Sequence, residues 1–173
     1  MRRVLLDTNG YSALARGDKA VLDALSEADA VYMSAVVLGE LRAGFKGGSR
    51  EAANREVLHR FLERPTVRTL SVTPDTADVY AAVRHALKQA GTPIPMNDVW
   101  ICAHALEIGA VVITDDAHFN RVQIVSWPII TPKTKPRVSA TGRRGGDECW
   151  RQVARAPAVT EAGTATAPRA RVP

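Results

Sequence analysis

Two short aliphatic runs, more than a hundred residues apart, each end in acid: Val4-Leu5-Leu6 leads into Asp7-Thr8-Asn9, and Val111-Val112-Ile113-Thr114 leads into Asp115-Asp116. Aliphatic runs without polar alternation suit strands covered on both faces, as inside a parallel sheet. In open α/β sheets ligands gather just beyond the carboxyl ends of such strands, so both acidic stretches stand where a ligand or metal would be held. Asp7-Thr8-Asn9 also suits a plain helix cap, and on that stretch alone the two readings are balanced.

The segments between the runs alternate in type. Residues 11–16 read as a short helix, and Asp18 is expected to cap a second over residues 19–26, with Val21, Leu22 and Leu25 at helical spacing. Residues 30–33 form a second strand. Ser34 then caps a helix over 35–45 that Gly47-Gly48 ends, and Ser49 caps one over 50–63 with Val57, Leu58, Phe61 and Leu62 as its apolar stripe. A third strand is expected over 67–72, then a helix opened by Asp75 and running to residue 90 with Ala82, Val83, Ala86 and Leu87 inward. Asn97 or Asp98 caps a helix to residue 108, and Gly109 ends it. A fifth strand, broken by Pro128, is placed within 122–130. Strand–helix alternation of this kind predicts an α/β fold: three layers, α/β/α, around a central parallel sheet of four to five strands with right-handed crossovers. There are no internal repeats.

Charge divides the chain. The formal net charge is +5, yet residues 1–132 carry 14 Lys+Arg against 15 Asp+Glu, whereas residues 133–173 carry 9 against 3. The basicity is confined to a Pro-, Ala-, Thr- and Arg-rich tail, so it says nothing about nucleic-acid binding by the folded part. The expected organisation is one domain over residues 1–131 and a basic, disordered tail over 132–173. Cys102 and Cys149 lack metal-type spacing, Cys102 reads as core, and no run suits a signal peptide or a membrane span. A cytoplasmic protein is expected.

The acids carry most of the functional information. Glu40 shares a helix face with Val37, Leu41 and Gly44, and a carboxylate on an inward face is costly unless it is paired or bound to a cation; pairing with Arg42 or Lys46 is the bland alternative. Asp98 shares the stripe of Ile101, Cys102, Ala105 and Ile108; a plain cap would also explain it, but Asn97 can supply that cap. Three or four carboxylates at one end of a parallel sheet, with no His or Cys cluster beside them, form an all-oxygen donor set that suits Mg²⁺ or Mn²⁺. Magnesium sites of this type are completed by water and phosphate oxygens, which points to phosphoryl chemistry. Without a cation the acids would raise one another's pKa values.

Leu5-Leu6-Asp7-Thr8-Asn9, Leu38-Gly39-Glu40-Leu41, the stretch from Ile94 to Ile101 and Thr114-Asp115-Asp116-Ala117-His118-Phe119 resemble, in order and spacing, the motifs of the PIN-domain ribonucleases. The closest subgroup is the VapC-type toxins of bacterial toxin–antitoxin pairs, and the resemblance covers roughly residues 1–130. It implies a metal-dependent endoribonuclease with an RNA substrate and a Mg²⁺ or Mn²⁺ cofactor, usually dimeric and inhibited by a small antitoxin protein, with operator DNA reached only through that antitoxin. By resemblance the catalytic, metal-holding set is Asp7, Glu40, Asp98 and Asp116, supported by Thr8, Asn9, Thr114 and Asp115. The family pattern favours Asp116 over Asp115, although from the residues alone either could be the ligand. In the implied hydrolysis Glu40 ligates a second ion or orients the attacking water, and the products carry a 5′-phosphate and a 3′-hydroxyl.

Arg42, Lys46, Arg50 and Arg121 flank the motifs but read more readily as solvated surface charges, and Trp100 reads as packing rather than as a base-stacking platform. Of His59, His85, His104 and His118, only His118 lies near the acids. A haloacid-dehalogenase-like phosphatase would need an Asp where Asn9 stands. The remaining alternative is a catalytically silent protein of the same fold that acts by binding antitoxin or nucleic acid.

Overall fold

A computed structural model describes residues 2–116, Phe119 and the backbone of Ile129–Ile130. The chain runs β1 (Arg3–Leu6), α1 (Thr8–Ala15), α2 (Lys19–Ser26), β2 (Ala30–Ser34), α3 (Ala35–Phe45), α4 (Glu51–Leu62), β3 (Val67–Leu70), α5 (Pro74–Gln89), α6 (Met96–Ile108), β4 (Val111–Ile113) and β5 (Ile129–Ile130). The strands pair in parallel in the order β3-β2-β1-β4-β5, which bears out the three-layer α/β class and its parallel sheet. From β1 the chain steps outward through β2 to β3, then crosses back to build β4 and β5 on the other side of β1. That reversal opens a crevice between the carboxyl ends of β1 and β4. Leu6 pairs with Ile113, so Asp7 and Thr114 leave the sheet side by side.

The aliphatic runs that mark the strands are the centre of the core. Val4, Leu5 and Leu6 are fully buried, as are Val31, Met33, Val112 and Ile113 on the flanking strands. Leu14, Leu25, Phe61, Leu87 and Ile101 come from five different helices to the same core cluster. Each such side chain contributes about 1.5–3 kcal/mol on burial, so the sheet is anchored most firmly where the acids emerge from it. Among the described residues no helix is long and apolar enough to cross a membrane.

Several local expectations are corrected. Ser49 does not cap α4: its N-cap is Arg50, with no side-chain capping bond, and Glu51 instead reaches back to accept the Gly47 N–H at 2.9 Å. The inward face of α3 is Val37, Leu38, Leu41 and Phe45, while Gly44 is exposed. Ala82 is exposed on α5, whose buried residues are Thr76, Val83 and Leu87, and β3 ends at Leu70 rather than at residue 72. Of the stretch predicted as a fifth strand, Ile129–Ile130 pairs with Val112 and Ile113. The remainder of that stretch, the boundary at 131 and the tail lie outside the described residues.

Thr73, not Asp75, opens α5. Its hydroxyl accepts the Thr76 N–H while the Thr76 hydroxyl accepts the Thr73 N–H, each at 3.1 Å, and Pro74 supplies the preset first helical residue. Thr76 is fully buried and its hydroxyl also donates to Glu107 at 2.7 Å, tying the start of α5 to the end of α6. Thr76→Val should therefore destabilise the protein by about 1–2 kcal/mol in urea titrations, whereas Thr76→Ser, which keeps the hydroxyl, should lose clearly less.

Candidate functional site

Asp7 stands at the junction of β1, α1 and β4. Its backbone N–H donates to the Ile113 carbonyl at 3.3 Å and its carbonyl accepts from Tyr11, starting α1. One side-chain oxygen, Oδ1, accepts the Gly10 N–H at 2.6 Å as the helix cap; the other, Oδ2, accepts the Thr114 hydroxyl from the end of β4. The cap reading of the sequence is thus true of Asp7, and the same side chain lies within reach of the charges of Asp98 and Asp116. Only 4% exposed, Asp7 has its carboxyl pushed up to about 6. Burial is the main cause, opposed by the bonds from Thr114 and Gly10 and reinforced by the charges of Asp116 and Asp98. Gly10 makes this fit possible, since a Cβ there would run into the Ile113 carbonyl oxygen and lie 3.1 Å from Asp7 Oδ1.

Glu40 projects from the half-buried margin of α3 and is held from two sides. Thr8 of α1 donates its hydroxyl to Oε2 at 2.5 Å, and Asn97 of α6 donates its amide to Oε1 at 2.6 Å. The carboxylate links three helices and pairs with neither Arg42 nor Lys46 among the described residues; Lys46 instead meets Glu51. Asn97 is the residue that the sequence reading misplaced. Pro95 occupies the N-cap of α6, so neither Asn97 nor Asp98 is the cap, and Asn97 is free to reach across to Glu40. Only the Asn97-Asp98 pairing behind two prolines hinted at this.

Asp98 lies in the first turn of α6, half-buried, with Oδ2 closed off from solvent. Its charge is felt by Asp7 and also by Cys102, one turn on, whose thiol is pushed up to about 12 by burial and then by Asp98. Asp116 is half-buried, its N–H donates to the Thr114 hydroxyl at 2.9 Å, and its charge acts on Asp7. Thr114 therefore bridges Asp7 and Asp116. Asp115 and Asn9 are exposed; Asn9 hydrogen-bonds to none of the four acids among the described residues, so the structure does not join it to them.

A divalent cation can be tested against this set. Each Asp7 oxygen accepts one protein hydrogen bond and retains a further lone pair. The charges of Asp98 and Asp116 both act against that of Asp7, a conflict that a hard cation relieves, and the donors are all oxygen, as Mg²⁺ and Mn²⁺ prefer. Among the described residues no three acidic, imidazole or thiol groups close on a common point as they stand. The donor chemistry fits such an ion, and drawing the acids together would be work for the ion itself.

The lesser candidates separate. His104 is buried on α6 with its ring nitrogens at 3.0 and 3.3 Å from the carbonyl oxygens of Trp100 and Ser71, a packing role. Trp100 stacks on Tyr80, ring centroids 3.9 Å apart. His59 meets Glu63 on the surface of α4, and Cys102 is core as expected. His118, Arg121 and Cys149 lie outside the described residues.

Acids gathered where a parallel sheet reverses its strand order define a class, and residues 4–125 match the PIN domain; the chain belongs to the PIN-domain family. It is 30% identical over 128 residues to Ribonuclease VapC1 of Haemophilus influenzae, covering 71% of this chain and 94% of that relative. Its fold matches the structure of VapBC-1 from nontypeable Haemophilus influenzae with a TM-score of 0.66 and 26% identity, covering 76% of this chain and 99% of the other. VapBC-5 of Mycobacterium tuberculosis, a member of the VapBC family of toxin-antitoxin systems, matches with a TM-score of 0.57 and 28% identity over 76% of this chain and 98% of the other. Among PIN domains the chain groups with the VapC proteins.

Two substitutions test the geometry. Gly10→Ala should cost about 2–3 kcal/mol, because the clash is with backbone, whereas Gly44→Ala, on an open helical surface, should gain up to about 1 kcal/mol. A carboxyl raised in the folded state favours folding when protonated. That stability is present below the unfolded pKa, near 4, and is lost as pH rises through about 6. In metal-free buffer Asp7→Asn should therefore be more stable than wild type by about 1–2 kcal/mol at pH 8, and the difference should vanish near pH 4 in thermal melts.

Proposed function

We propose that this chain is a Mg²⁺- or Mn²⁺-dependent endoribonuclease that hydrolyses RNA phosphodiesters and serves as the toxin of a toxin–antitoxin pair. The observation that carries the reading is Asp7: a carboxylate at the sheet's switch point, held by α1 and β4, in the field of Asp98 and Asp116. Similarity to a protein named as a ribonuclease supplies the reaction class.

Asp7, Asp98 and Asp116 would hold the ion. When bound, such an ion supplies acidity to water near neutral pH and balances charge on the leaving oxygen. Thr114 keeps Asp7 and Asp116 in fixed relation through its hydroxyl. Glu40, locked by Thr8 and Asn97, either orients the attacking water or serves a second ion. Attack by water leaves a 5′-phosphate and a 3′-hydroxyl, so the 2′-hydroxyl of RNA serves recognition rather than chemistry. The working form is a cytoplasmic homodimer, silenced by a cognate antitoxin and reaching operator DNA only through it. The toxin-antitoxin setting of the similar VapBC-5 supports this assignment of partners.

Asp98→Asn and Asp7→Ala should each slow cleavage of total RNA in Mg²⁺ by more than the roughly 10–100-fold typical of losing a group behind a metal ligand. Chelation should abolish wild-type cleavage and added Mn²⁺ should restore it. Wild-type rates in both variants would sink the reading and leave a silent antitoxin- or nucleic-acid-binding protein in its place.

A further inference from the structure

RNA held against four carboxylates needs cations beside them. The cations that follow Glu40 in sequence do not serve: Lys46 is engaged by Glu51, Arg50 has a partner of its own, and Arg42 shares its groove with Glu51 and Glu56. Arg84 and Lys88 differ. Both are exposed on one face of α5, a helical turn apart, and among the described residues neither is in an ion pair. They lie ten or more residues ahead of Asp98 in the chain, but α5 and α6 pack along each other and bring them to the start of α6.

Between them the two helices enclose a groove of about 400 Å³. Leu87, Ile94 and Val99 form an apolar floor, Arg84, Lys88 and the 61%-exposed Met96 stand at its edge, and among the described residues no carboxylate lines it. Tyr80 closes one end, its ring stacked on Trp100 and its hydroxyl 3.5 Å from Arg84. Met96 leads directly into Asn97, which holds Glu40, and Asp98. The groove thus reaches the first turn of α6, from which Asn97 and Asp98 project on the other side, so a strand passing over that turn can occupy both.

We propose that this groove is a substrate subsite that takes one nucleotide of single-stranded RNA flanking the cleaved phosphodiester. Its phosphate lies on Arg84 and Lys88, and its base lies on the apolar floor beside Tyr80 and Met96. The inference rests on the ribonuclease reading. Charge complementarity selects the occupant: two unpaired cations over an apolar floor suit an anion that carries a flat apolar face, and the described part of the chain offers no general positive surface to attract one otherwise. A paired duplex could not offer its base here, so the subsite favours unpaired RNA.

The test is fluorescence anisotropy of a short fluorescein-labelled single-stranded RNA with the full chain carrying Asp98→Asn, in chelator, across a salt series. Adding Arg84→Gln and Lys88→Gln together should weaken binding about tenfold and flatten the salt slope by about 1.4. In the chain with Asp98 intact, the same pair should raise KM with kcat within about twofold, while Arg55→Gln on α4 changes neither. Coincident thermal melts will show that the fold is kept. Unchanged affinity and slope, with wild type still cleaving RNA, would overturn the subsite alone. So would a loss confined to self-association or antitoxin capture, which would make the groove a protein interface. A wild-type chain that neither binds nor cleaves RNA would overturn the ribonuclease reading along with it.

Discussion

The structure turns on a carboxylate that is kept out of water. Asp7 closes β1, caps α1 and accepts a hydroxyl from the end of β4, so the same two oxygens that fix the junction of three elements also lie in the field of Asp98 and Asp116. Removing such a group from solvent is costly unless hydrogen bonds or a cation compensate. The two protein donors compensate in part, and what is left uncompensated appears as the raised Asp7 carboxyl. Above about pH 6, where the carboxyl is charged, its burial therefore weighs against the stability of the fold.

Around that point the chain recruits parts from distant segments. The reversal of strand order between β1 and β4 sets Asp7 beside Thr114, and Thr114 in turn holds the backbone of Asp116. Glu40 is the counterpart on the helical side: a half-buried carboxylate whose hydrogen bonds come from α1 and α6, so that three helices keep one orientation relative to the sheet. Gly10 sets the closeness of the arrangement, because only a residue without a side chain lets the first turn of α1 lie on the end of β4. The capping box of α5 and its bond to Glu107 keep α6, and hence Asp98, in register with the rest.

Much of this was legible where the cause is local. Aliphatic runs marked the strands because burial on both faces leaves no polar alternation, Asp18 and Ser34 cap their helices as their positions suggest, and Gly109 ends α6 in the left-handed region at φ 61°. The VapC resemblance, carried by the order of the acidic motifs, is matched by the family and the fold. Reading failed where two local signals competed and a distant contact chose between them. Ser49 was displaced as a cap because the glycine turn let Glu51 reach back to Gly47. Asn97 and Asp98 both suit a cap by type, but Pro95 holds that place and Glu40 draws the Asn97 amide across. Gly44 fell outside the core because the face of α3 is set by what packs on it, and not by spacing alone.

By itself the sequence determined most of the element types and the parallel sheet, since short-range burial patterns suffice for these, and the order of its acidic motifs pointed to the family. Only the tertiary structure decided which donors hold Asp7 and Glu40, and that the charges of Asp98 and Asp116 act on the same Asp7 side chain that caps α1. It alone also brought Arg84 and Lys88 of α5 alongside the first turn of α6. The reason is physical: hydrogen-bond partners, desolvation and the reach of charge depend on distances across the sheet and between helices. Those distances exist only once the crossovers have brought the ends of β1 and β4, and the flanks of α5 and α6, together.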